Sequence, residues 1–191
     1  MSSRAVVLVE GRSDEIAVRM LAARRGRDLA AEGISVLAVG GAQAMGRFLS
    51  TYGPAGANAT VAGLCDQGEE PDVRRALERA GLAPAAGRAG LEALGFFVCE
   101  RDLEDELVRG LGVAGTEAIL AAHGKLGPFR TYQKQPAHQA RETADQLRGF
   151  LTNWKVELAG PLVEALEPDR VPRPLEGVLH TSGWRPSIRV R

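Results

Sequence analysis

Four short apolar runs punctuate the first hundred residues: 5–10 (AVVLVE), 34–39 (ISVLAV), 60–65 (TVAGLC) and 95–99 (GFFVC). Each is nearly continuous in apolar residues and does not alternate with polar ones. That pattern predicts strands buried on both faces, as in a parallel sheet covered by helices. Between the runs the periodicity changes to helical. Residues 14–25 place Ile16, Ala17, Met20 and Leu21 on one face, with Gly26 as a stop signal. Residues 42–52 and 72–80 are two further predicted helices, the latter closed by Gly81. Residues 82–94, rich in Ala and Gly, read as a loop or irregular crossover. After residue 100 the strand signal fades, and 102–110, 115–123, 138–151 and 155–166 read as helices. The last segment begins at a proline-marked turn and ends in a basic tail expected to fray. The order strand–helix–strand–helix predicts an α/β fold with a parallel sheet of about four strands and a helical C-terminal extension.

Composition narrows this little. The chain has 191 residues, 45% of them hydrophobic, enough for a proper core. The 24 basic and 24 acidic side chains cancel, so overall charge points to no partner. Their distribution is less even: residues 61–110 hold 11 acids against 6 bases, and residues 111–191 hold 11 bases against 8 acids. An acidic middle with a mildly basic end suits a cation site beside an anionic ligand, though solvated mixed faces give the same counts. The two cysteines, Cys65 and Cys99, sit in apolar runs and read as core residues. With no signal peptide and no apolar run approaching 18 residues, a soluble cytoplasmic protein without a membrane segment is expected.

The chemistry lies where the strands end. In an open parallel sheet, ligands bind beyond the carboxyl ends of the strands. The first run ends in Glu10, within VLVEGRSDE; Gly11 permits a sharp turn, Ser13 is placed to cap the next helix, and Asp14 falls in its first turn. Asp66 closes the third run in GLCDQGEE, and Glu104 opens the helix after the fourth in CERDLEDEL. Acids distant in sequence thus converge on one edge. Uncompensated carboxylates repel, so such a cluster calls for a divalent cation, and hard oxygen donors favour Mg²⁺ or Mn²⁺. Taken singly, Asp14 suits a helix dipole, Asp66 a turn and Glu104 a solvent-facing helix; only Glu10, a carboxylate ending an apolar strand, demands a partner by itself.

These motifs carry a family resemblance. VLVEGRSDE, ISVLAVGG and the aspartate of LCDQGEE resemble the Toprim domain shared by topoisomerases, bacterial primases and OLD (overcoming lysogenization defect) nucleases. RDLEDEL is similar to the acidic element of OLD-family Toprim domains, and WKVELAGPLVEALEPDRVPRPLEGVL to their C-terminal pattern, over residues 4–180 in all. The resemblance implies a Rossmann-like Toprim core over residues 1–110, with residues 111–191 a helical part packed on the same domain. It implies metal-dependent phosphodiester chemistry on DNA with one or two Mg²⁺ or Mn²⁺ ions. Glu10 would be a metal ligand or general acid/base, Asp14, Asp66 and Glu104 metal ligands, and Lys155 the cation that neutralises charge on the phosphate. Gly11, Arg12 and Ser13 are the candidate phosphate contacts.

Two departures stand out. The family's DxD reads Asp66-Gln67-Gly68, so the second carboxylate is missing, and Glu69 or Glu70 would have to replace it. The chain also starts at the first Toprim strand and has no G-x-x-x-x-G-K-[ST] motif, so a free-standing domain is expected, working with a separate ATPase or other partner, and a homo-oligomer is open. Signals for nucleic acid are thin: aromatics are 5% of residues, and Arg130, Lys134, Arg141, Arg148, Lys155, Arg185, Arg189 and Arg191 are scattered. A metal-dependent nuclease is the leading expectation. A catalytically impaired Toprim module that binds nucleic acid or protein is the alternative, and a phospho-acceptor receiver domain a weaker third.

Overall fold

The structure is a computed structural model and describes residues 5–181 of the chain, with the side chains of residues 42 and 43 excepted. Four strands, β1 (Ala5–Val9), β2 (Ile34–Ala38), β3 (Thr60–Cys65) and β4 (Phe96–Val98), form one sheet in the order β2-β1-β3-β4. Every pairing is parallel, with Val9 level with Ala38 on one side and Leu64 on the other. The strands therefore all end on one edge.

The continuous apolar runs are explained by cover on both faces. Val6, Leu8, Cys65, Phe96 and Val98 point to one face, where α2 (Ala42–Tyr52), α3 (Glu70–Arg79) and α4 (Gly87–Ala93) supply Met45, Leu49, Val73, Leu77 and Leu91. Val7, Val9, Val36, Leu64 and Phe97 point to the other. There α1 (Arg12–Arg24), α5 (Leu103–Ala122), α8 (Lys155–Ala165) and α9 (Arg173–Thr181) contribute Val18, Leu21, Leu107, Leu158 and Val178. Helices α6 (Leu126–Gln133) and α7 (Thr143–Leu151) extend this second core through Phe129, Leu147 and Phe150. The second core thus draws on both halves of the chain. α9 lies directly on β3 and β4. Gly177 makes that approach possible, because a Cβ there would collide with the Phe97 ring.

Several expectations need correction. Residues 82–94 are not merely a loop: α4 fills half of the crossover and buries Leu91, an anchor hidden by the surrounding small residues. The helices expected at 102–110 and 115–123 run almost end to end as α5, broken at Gly112 (φ 71, ψ 169). That left-handed conformation is one that glycine adopts at little cost. The helix expected from 138 starts only at Thr143. Helix α6 was not foreseen, nor was α9, masked by Pro172 just before it and Pro174 within it; Pro174 sits in its first turn, where a missing N–H costs nothing. The tail arginines Arg185, Arg189 and Arg191 lie outside the described residues. Among the described residues, no helix is long and apolar enough to cross a membrane.

Candidate metal and phosphate site

The chain leaves β1 at Glu10, whose carbonyl accepts hydrogen bonds from the Gly40 and Gly41 amides (3.0 and 3.4 Å) beyond β2. Gly11, extended at φ −139, then caps α1, and its amide donates to Asp14 Oδ2 at 2.8 Å. The expectation that Ser13 caps this helix is overturned. Because α1 begins at Arg12, Ser13 is already inside the first turn, and the third residue's carboxylate reaches back instead. Ser13 is buried, and its hydroxyl has no hydrogen-bond partner among the described residues. Arg12 is exposed and pairs with Glu15 at 2.7 Å.

Asp66 leaves β3 in extended conformation and leads into a single 3-10 turn, Gln67–Glu69. The ends of β3 and β4 are tied by Cys99 N–H to the Cys65 carbonyl (2.9 Å) and Gln67 N–H to the Arg101 carbonyl (3.3 Å). Asp102 caps α5 by accepting from the Asp105 amide at 2.8 Å. It also accepts from Arg148 Nε at 2.7 Å, which joins α7 to this edge. Glu104, in the first turn of α5, is buried rather than solvent-facing.

These placements produce an electrostatic hub. Burial, followed by repulsion from Glu10, Asp14, Asp102 and Glu104, pushes the Asp66 carboxyl up to about 8. Burial is also the main cause that raises Asp14 and Glu104. Lys155, the first residue of α8, pulls both back toward ionisation, so its charge is felt at the cluster. Glu69 adds repulsion to Asp14, whereas its neighbour Glu70 pairs with Arg74 (2.9 Å) and Arg88 (3.9 Å). The edge is an open cleft of about 560 Å³, bordered by Glu10, Asp66, Gly68, Glu69, Asp102 and Arg148, with Arg101 and Gln67 completing it. A Cβ at Gly68 would meet nothing within 4 Å, so the missing second DxD carboxylate leaves open space.

The donor chemistry suits a hard divalent cation: every candidate ligand is a carboxylate oxygen, and a cation would relieve the repulsion that holds Asp66 protonated. The carboxylates are neighbours but do not converge. Among the described residues, no three acidic, thiol or imidazole side chains come close enough to hold an ion. Binding would therefore require a local approach of these side chains.

Residues 2–66 match the family described as "Overcoming lysogenization defect protein-like, TOPRIM domain", a match that ends on Asp66. The chain's first three strands and their turns thus resemble an OLD-like Toprim domain. Its fold is similar to the C-terminal region of the Burkholderia pseudomallei OLD protein (TM-score 0.71, 21% identity, 95% of this chain and 98% of that one). It is also similar to the C-terminal region of the Xanthomonas campestris pv. campestris OLD protein. One structure of that region gives TM-score 0.73 at 23% identity over 94% and 92% of the two chains. Another gives 0.71 at 25% over 94% of each. No curated protein matches the chain. The fold likeness extends past the matched residues, through α5 and α8, where Glu104 and Lys155 lie.

Two residues of the Toprim edge were missed in the sequence. Asp102 had a signal, since D-x-x-D before an apolar helix marks a cap. Arg148 had none beyond its place among scattered arginines, because its distance to Asp102 is created by tertiary packing.

Proposed function

We propose that this Toprim domain is a divalent-cation-dependent phosphodiesterase that cuts or nicks DNA. The observation that carries the reading is Asp66, a half-buried carboxyl at the strand ends, bordering an open cleft and pushed to about 8 by burial and by repulsion from Glu10, Asp14, Asp102 and Glu104. Glu10, Asp14, Asp66 and Glu104 would hold one or two Mg²⁺ or Mn²⁺ ions, with Glu69 the nearer substitute for the absent DxD aspartate. Such ions supply Lewis-acid activation of water and charge neutralisation on a phosphodiester. Lys155 adds a fixed positive charge beside Asp14 and Glu104, where phosphate charge would be countered. Arg148, by holding Asp102, keeps the start of α5 and hence Glu104 in place. A separate ATPase or another protein would couple the cutting to a cellular cue.

Plasmid nicking with Mg²⁺ or Mn²⁺ tests this, with wild type compared with Glu10→Ala and Lys155→Ala. Metal-dependent nicking lost in both variants supports the reading; nicking that survives both, or is absent with every metal and partner, contradicts it. A second reading, a Toprim module that binds without cutting, is favoured by Gly68 and by the unconverged carboxylates. Metal-independent DNA binding with no cleavage would select it.

A further inference from the structure

We infer that a second pocket on the same edge, between α4, α5 and the start of α9, binds a backbone phosphate of the nucleic acid. The inference rests on the nuclease reading for its ligand. The pocket has a volume of about 320 Å³ and opens beyond the end of β4. Four guanidiniums line it, from Arg88, Arg109, Arg170 and Arg173, against three carboxylates.

The carboxylates are already ion-paired, two of them sharing Arg109. Glu106, buried at the floor, accepts from the Glu100 amide at 2.9 Å and pairs with Arg109 at 2.7 Å. Glu100 pairs with Arg109 at 2.5 Å, and Glu92 with Arg173 at 2.5 Å. Two guanidiniums remain. Arg88 reaches its nearest acid, Glu70, only at 3.9 Å, and Arg170 makes no ion pair among the described residues. A pocket with four guanidiniums against three ion-paired carboxylates keeps one net positive charge, and with two of its guanidiniums loosely held it fits an anion with forked oxygen acceptors, which a phosphodiester provides. Its wall depends on Gly110: a Cβ there would lie 2.6 Å from Leu166 Cδ2 and 2.8 Å from the Arg170 carbonyl, so the segment carrying Arg170 closes in only over glycine.

Position supports a nucleic-acid ligand over a free anion. Glu100 lines this pocket and the next residue, Arg101, lines the cleft. On α5, Glu104 faces the cluster and Arg109 the pocket; five residues of helix rise about 7 Å.

The test is fluorescence anisotropy of a labelled 20-base-pair duplex in EDTA, across a salt series. It compares wild type, the Arg88→Gln/Arg170→Gln pair and an Arg47→Gln control on the remote helix α2, with inorganic phosphate as competitor and melting curves to confirm folding. The pair variant should bind about tenfold more weakly, and its log–log salt slope should be shallower by about one for each lost phosphate contact. Millimolar phosphate should not displace the duplex. Unchanged affinity and slope in the pair variant, an equal loss in Arg47→Gln, displacement by free phosphate, or no duplex binding by wild type would each overturn the inference. Because no metal is present and no cleavage is read, these outcomes are independent of the nicking test.

Discussion

Two acidic regions share the edge of the sheet and behave in opposite ways. Around β4 and the second turn of α5, Glu100, Asp105 and Glu106 are all paired with Arg109. Around β1 and β3, Asp66 is instead repelled by Glu10, Asp14, Asp102 and Glu104 on top of its burial, and is pushed up to about 8. Of the adjacent pair Glu69 and Glu70, the latter is held by Arg74, and the former adds repulsion to Asp14. Paired carboxylates hold a fold together. A half-buried carboxylate repelled by its own kind costs stability, a cost that a bound cation would relieve.

Removing the charge at the repulsive centre is the sharpest way to break that comparison. Asp66→Asn should lower metal-dependent nicking by at least about 100-fold, while the metal-free protein melts at the same or a higher temperature at pH 8. Lys155→Ala should cost on the order of 100-fold or less in nicking, with melting unchanged, because its side chain is exposed. The reverse pattern belongs to Glu106→Gln. Loss of its Arg109 pair and weakening of its bond to the Glu100 amide should destabilise the protein by about 1–3 kcal/mol in urea unfolding, with metal affinity unaffected. Gly68→Asp should tighten Mn²⁺ binding by about three- to tenfold. The site has open space, and Gly68 does not use left-handed backbone, so little strain is introduced.

The smallest expected effect is on pH dependence. Asp66 binds its proton more tightly when folded than the usual aspartate value of roughly 3.9 allows when unfolded. Between that value and about 8 the folded chain carries more protons, so stability of the metal-free protein falls as pH rises through this window. Asp14 and Glu104, also raised, act in the same direction. Melting should be higher at pH 6 than at pH 8 without metal, and added Mn²⁺ should raise it more at pH 8. A flat profile would remove the contrast between the two acidic regions.

Much of this was legible in the sequence because strands buried on both faces leave continuous apolar runs, and all four were located within a residue or so. Their shared parallel direction then places Glu10 and Asp66 on one edge without further information. Helices were harder where small residues or prolines carry the core. α4 buries Leu91 among Ala and Gly, and α9 announces itself only through Leu175, Val178 and Leu179. At the site, the acids other than Asp102 were readable and their long-range partners were not. Glu70 with Arg74, and Gly11 with Asp14, are pairs at helical spacing, whereas the Arg148–Asp102 and Arg101–Asp145 pairs are consequences of packing. Local sequence carries no record of them.

Calorimetric titration of Mn²⁺ into wild type and Asp66→Asn, in two buffers of different ionisation enthalpy at pH 7, is the most direct measurement. Wild type should bind Mn²⁺ and release close to one proton per ion, because Asp66 must give up the proton that its neighbours force on it. Asp66→Asn should lose both the binding and the buffer-dependent heat. Binding that is equal in the two proteins, or that releases no proton, would contradict a cation site centred on Asp66.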